Sequence, residues 1–109
     1  MPGVEVSPLD ARLRDDLKIA MKARDAAAVT ALRTALAALA NAEAVEAVPV
    51  ADAGPVEVAR RDLTEADRVD VLRAHVADRQ ATIDELRAHG QADAVESLEQ
   101  ELAALLRYL

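Results

Sequence analysis

Few side chains in this sequence could do chemistry: two imidazoles, one arginine in an apolar slot, and a row of cations. His75 and His89 stand fourteen residues apart on one expected helix, nearly four turns, too far to share a metal ion. Cysteine is absent, and the three glycines form no phosphate-cradling loop. Ser7, Ser97, Thr30, Thr34, Thr64 and Thr82 have no His–Asp arrangement nearby to activate a hydroxyl. No catalytic residue, metal site or cofactor is therefore expected, and each histidine reads as solvent-facing or partly packed.

Arg79 is different. It falls between Val76 and Ile83 in the repeat Val69, Leu72, Val76, Ile83, Leu86, where an apolar residue belongs. A charge in such a place needs a partner, because an unpaired buried charge is costly. Glu99 and Glu101 on the following helix are the expected partners, with the arginine stem lying along the seam. The alternative is an arginine kept free for a phosphate or a partner's carboxylate. The cation row is Arg14, Lys18 and Lys22, each four residues on from the last, with Arg24 and Arg33 near its end. Such a row can follow a phosphate backbone. Asp15, Asp16 and Asp25 lie alongside it and no aromatic residue offers stacking, so a solvated face of mixed charge is the plain alternative.

Helices must position these groups. The chain has 109 residues, enough for one domain, and 52% of them are hydrophobic, a fraction inflated by alanine. Tyr108 is the one aromatic, so core volume must come from Leu, Val, Ile and Met, with alanines letting helices approach closely. Without cysteine, a reducing compartment and a cytoplasmic location are expected. No signal peptide is read in residues 1–9, and no apolar run approaches the roughly 20 residues that span a membrane. The net charge of −7 is uneven: residues 1–47 carry six Lys/Arg against seven Asp/Glu, residues 63–109 five against ten. Counterion release on a nucleic acid needs clustered cations, so only the first half suits it.

An all-α fold of four helices is expected, at about 8–23, 26–45, 65–88 and 92–108. Ser7-Pro8 starts the first, Asp25 caps the second and Thr64 the third, with Glu65 and Asp67 in its first turn. His89-Gly90 ends the third. Short turns at Arg24-Asp25 and Gly90 make two antiparallel hairpins, setting Leu86 near Val95 and Leu17 near Leu32. The second helix carries two stripes: Val29, Leu32, Leu36 and Leu39, and the alanines 28, 31, 35, 38 and 42. That alanine stripe and Tyr108-Leu109 either remain exposed as an interaction surface or are closed over in a monomeric bundle, and the two readings stand level. Pro49, Gly54 and Pro55 break any helix over 48–63, which reads as a long flexible loop.

The run Leu17-Lys18-Ile19-Ala20-Met21-Lys22-Ala23-Arg24-Asp25, then Leu32-Arg33 and Asn41-Ala42-Glu43, resembles the opening of the YqeY-like proteins. Leu63-Thr64, Val71-Leu72, Arg79-Gln80, Gly90-Gln91-Ala92-Asp93, Glu99, Glu101-Leu102 and the closing Tyr108-Leu109 continue the likeness in order and spacing. These small bacterial proteins are grouped with the tail of the B subunit of glutamyl/aspartyl-tRNA amidotransferase, as the GatB/YqeY family. The resemblance implies an all-helical N-terminal module. In typical members a proline follows the Tyr-Leu pair and opens a smaller second domain, which by that comparison is absent here. In the amidotransferase the tail engages tRNA while other domains move nitrogen from glutamine. The resemblance therefore implies a non-catalytic tRNA-binding or accessory module, with Lys18, Lys22 and Arg33 on the matching positions. The partner is then tRNA or a protein of aminoacyl-tRNA metabolism. A protein-interaction adaptor or homo-oligomer without a nucleic-acid role stays open, as does a subunit associated with carbon–nitrogen ligase chemistry.

Overall fold

Each helix begins and ends where side chains or turns satisfy its free backbone groups. A computed structural model describes residues 7–44 and 63–109. Helix α1 spans Pro8–Ala23, with the Ser7 hydroxyl accepting from the Asp10 N–H at 3.2 Å and Pro8 at the first position. It ends at Arg24, held in the left-handed region at φ 55°. There the Asp25 N–H donates to the Ala20 carbonyl at 3.0 Å, the Arg24 N–H donates to that of Met21 at 3.2 Å, and the helix closes in a Schellman turn. Asp25 then starts α2 (Ala26–Glu43), its carboxylate accepting from the Ala28 N–H. One residue thus ends the first helix and begins the second, and the pair folds back as a hairpin.

Helix α3 (Glu65–Ala88) opens with a reciprocal capping box between Thr64 and Asp67. It ends at Gly90, whose φ of 72° lets the Gln91 N–H reach the Leu86 carbonyl at 3.0 Å. Helix α4 spans Ala92–Leu106. Two expected boundaries shift. α2 stops at Glu43 rather than 45, because Ala44 is extended. α4 stops at Leu106 rather than 108, because Tyr108 and Leu109 donate to carbonyls only three residues back and tighten the chain out of the helix. The expected loop at 48–63 lies outside the described residues except for Leu63.

The central helix is α2, which packs against α1, α3 and α4. Around it lies the main core: Leu9, Leu13 and Ala20 of α1, Ala31, Leu32, Ala35 and Leu39 of α2, Leu72 of α3, Leu105 of α4, and Tyr108. The alanine stripe is therefore not an exposed surface at its centre. Ala31 and Ala35 are fully buried, and small side chains there let neighbouring helices close in. Tyr108 is likewise buried, while Leu109 stays exposed. A second, smaller cluster joins Ile83 of α3 to Val95 and Leu102 of α4, flanked by Val76, Leu86 and Leu98.

Three polar contacts fix the register of α3 on the first hairpin. The Glu65 carboxylate accepts from the Leu9 N–H and from the Ser7 hydroxyl, both at 2.8 Å, so a side chain of α3 caps α1. Arg68 pairs with Glu43 at 2.7 Å in a half-buried site. Farther along, His75 meets Thr34 at 3.3 Å.

Candidate functional site

The cations of the first hairpin all stand in solvent. Arg14, Lys18 and Lys22 lie along the outer face of α1, and each step of four residues advances about 6 Å. Arg33 is exposed on α2, and Arg24 on the turn. None of the five forms a salt bridge with another described residue. Every salt bridge among the described residues involves an arginine of α3: Arg68 with Glu43, Arg73 with Asp70, and Arg87 with both Asp84 and Glu99. Residues 7–44 hold six Lys/Arg against five Asp/Glu, so the first hairpin is the positive part of an acidic chain. Asp15 is exposed beside the row, while Asp25 spends one carboxylate oxygen on its cap.

Arg79 lies half-buried on the inner side of α3. Its expected partners are placed otherwise: Glu99 pairs with Arg87, two turns farther along α3, and Glu101 is half-buried without an ion pair. Among the described residues Arg79 has no hydrogen bond or salt bridge. Its charge is felt by His75, one turn earlier. Burial, then Arg79, lowers the His75 pKa from its ordinary value, against the opposite pull of Asp78. The hydrogen-bond chain also fixes the imidazole tautomer. Thr34 donates its single hydroxyl proton to the Ala31 carbonyl at 2.9 Å, so it can only accept from His75, whose Nε2 must carry the proton. His89, far along the helix, lies against its own Glu85 carbonyl at 2.8 Å. Among the described residues no three His, Cys, Asp or Glu side chains stand together as metal ligands, and no helix is long and apolar enough to cross a membrane.

A constellation that sequence reasoning missed surrounds Tyr108. Its hydroxyl donates to Asp16 of α1, and the Arg12 guanidinium lies over its ring, 5.0 Å from the centroid. Burial, followed by the bond to Asp16, pushes the Tyr108 pKa up to about 12. Arg12 and Asp16 are one turn apart, which the sequence displays, but their partner is 92 residues beyond Asp16 and only the fold delivers it. Beside this contact a groove of about 210 Å³ runs between α1 and the end of α4.

These features define an all-α module with a positive first hairpin and an acidic second one. The chain belongs to the family of YqeY-like proteins, whose family model matches residues 10–109. No curated protein and no solved structure matches the chain significantly.

Proposed function

We propose that this YqeY-like domain is a non-catalytic, cytosolic module that binds tRNA through the cations of α1 and α2. The observation behind this reading is the contrast in pairing: among the described residues Arg14, Lys18, Lys22 and Arg33 have no carboxylate partner, whereas Arg68, Arg73 and Arg87 do. A row of unpaired ammonium and guanidinium groups at a spacing of about 6 Å suits successive phosphates. The surface has no aromatic platform for stacking bases, so it is suited to backbone contact without sequence readout.

The test is a titration with bulk tRNA at two salt concentrations. Displacing counterions from about three phosphates should weaken binding roughly twenty- to fortyfold between 50 and 200 mM salt. Reversing Lys18, Lys22 and Arg33 to Glu should abolish most of the affinity while leaving helicity unchanged, since all three are exposed. An absence of binding even at low salt would sink this reading.

A second reading, a protein adaptor or homo-oligomer, draws on the exposed Ile19, Met21, Leu106 and Leu109. It predicts a concentration-dependent mass or a captured partner, unaffected by salt. Participation in carbon–nitrogen ligation as a subunit would require glutamine-dependent amide formation on charged tRNA. Silence of the purified protein, alone and with amidotransferase subunits, would exclude it.

A further inference from the structure

The groove between α1 and α4 is separate from the cation row, and its lining has the chemistry of a small binding site. Helices α1 and α4 do not pack on each other directly, since α2 lies beneath both, and the gap left above α2 is this groove. Its floor is apolar and made of small side chains: Ala20, Ala28, Leu32 and Ala104. Tyr108 closes one end, anchored by its bond to Asp16. The volume, about 210 Å³, lies below the roughly 300 Å³ at which drug-sized ligands begin to fit.

Its two sides carry opposite charge. Asp16 and Asp25 line one side and Arg107 the other. Each carboxylate has one oxygen engaged, Asp16 by the Tyr108 hydroxyl and Asp25 by the Ala28 N–H. The second oxygen of each accepts no hydrogen bond among the described residues, and Arg107 forms no salt bridge there. The guanidinium is nevertheless close enough for its charge to act on the Tyr108 phenol. A ligand filling this site must therefore offer a cation toward one side, an anion toward the other, and a small apolar group to the alanine floor.

We propose that this groove binds a free α-amino acid with a small apolar side chain. The ammonium group is held by Asp16, the carboxylate by Arg107, and the side chain lies over Ala20, Ala28 and Ala104; Asp25, nine residues on and roughly 10 Å or more away along α1, adds only negative charge at the far end of the groove. Opposite charges on the two sides reject ligands bearing only one of the two groups, because the other side would then be desolvated without a partner.

L-Valine is the probe, followed by calorimetry and by backbone amide shifts in the intact protein. Saturable shifts at Ala20, Ala28 and Ala104 are expected at millimolar concentrations. Isovalerate and isobutylamine, which are valine without its amine and without its carboxylate, should each bind about tenfold more weakly or worse. Arg107→Gln should lose a similar factor with its melting temperature unchanged, since Arg107 is exposed and forms no salt bridge among the described residues. Lys18→Glu, on the separate cation row, should bind valine as the unaltered protein does. The proposal is overturned if valine produces no shifts in the groove, if either half-molecule binds as well as valine, or if Arg107→Gln binds valine undiminished. Because tRNA binding is read on a different surface, neither result depends on the other.

Discussion

The inner core and the outer half of the α3–α4 hairpin use the same residue types, yet they are held in different ways. Inside, residues from all four helices and Tyr108 interlock around α2, and Leu13, Leu39, Leu72 and Leu105 are essentially inaccessible. Outside, Ile83, Val95 and Leu102 form a cluster drawn from two helices alone. Burial is equally complete at Leu13 and Ile83, both 0% exposed, so accessibility alone would rank them as equals. What differs is how many elements must separate to open each site. Losing the inner core dismantles the domain, whereas the outer cluster can open by parting one hairpin. The lesson is that cooperativity follows the number of elements meeting at a residue.

The largest effect tests that claim directly. Leu13→Ala should cost about 4 kcal/mol and Ile83→Ala about 2 kcal/mol, because the two-helix site can collapse around its cavity more readily. Amide exchange separates them further. Leu13→Ala should lower protection throughout all four helices, while Ile83→Ala should lower it mainly over residues 79–100. Equal, molecule-wide loss in both variants would erase the distinction between the regions.

Tyr108 sharpens the comparison, since it carries the end of α4 back into the inner core. Tyr108→Phe keeps the ring beneath Arg12 and deletes only the bond to Asp16. A cost of about 1.5 kcal/mol is expected, the scale of a hydrogen bond to a charged acceptor. The pH profile gives a second check. The folded pKa, about 12, lies above the ordinary 10.0, so the unfolded chain loses this proton first. The associated stability is complete below pH 10 and is lost as pH rises toward 12. In Tyr108→Phe that alkaline loss should shrink, read as the difference in melting temperature between pH 9 and 11.

His75 reports on the seam where the inner core passes into the outer hairpin, and its effect is smaller. Its folded pKa is lowered below the ordinary 6.5 by burial and by Arg79, so the unfolded chain takes up a proton first as pH falls. Stability is full above about pH 6.5 and declines below it. His75→Gln can still donate to Thr34 but does not titrate, so it should flatten the slope between pH 7 and 5. An unchanged slope would mean that the imidazole is as solvated in the folded state as in the unfolded one.

Much of this organisation is legible in the sequence because it is local. Ser7-Pro8, Asp25, Thr64 and Gly90 announce helix ends through contacts within a few residues, and the leucine spacing reveals which faces turn inward. The family likeness is carried by order and spacing, and the match over residues 10–109 bears it out. The misses are tertiary. Nothing near Glu65 says that it caps a different helix, and nothing near Ala31 says that it will be buried in the core. Arg24, in a left-handed turn that usually takes glycine, has no local mark either. For the candidate site, the sequence finds the cation row but not its lack of partners, and it sees Arg79 as anomalous without showing that Glu99 goes elsewhere.

That last difference supplies the mildest test. Arg87 and Glu99 join α3 to α4 in the outer hairpin, with side chains 58% and 50% exposed. An ion pair so open to water competes with hydration and screening, so Arg87→Ala should cost only about 0.5 kcal/mol, falling further in high salt. Arg68→Ala, by contrast, removes one side of a pair only 16% and 23% exposed and should cost about 1–2 kcal/mol, with less dependence on salt. If Arg87→Ala instead proved the costlier change, the outer hairpin would be held by charge rather than by Ile83 and its neighbours. The two regions would then differ in the kind of force that closes them, not merely in how many helices share it.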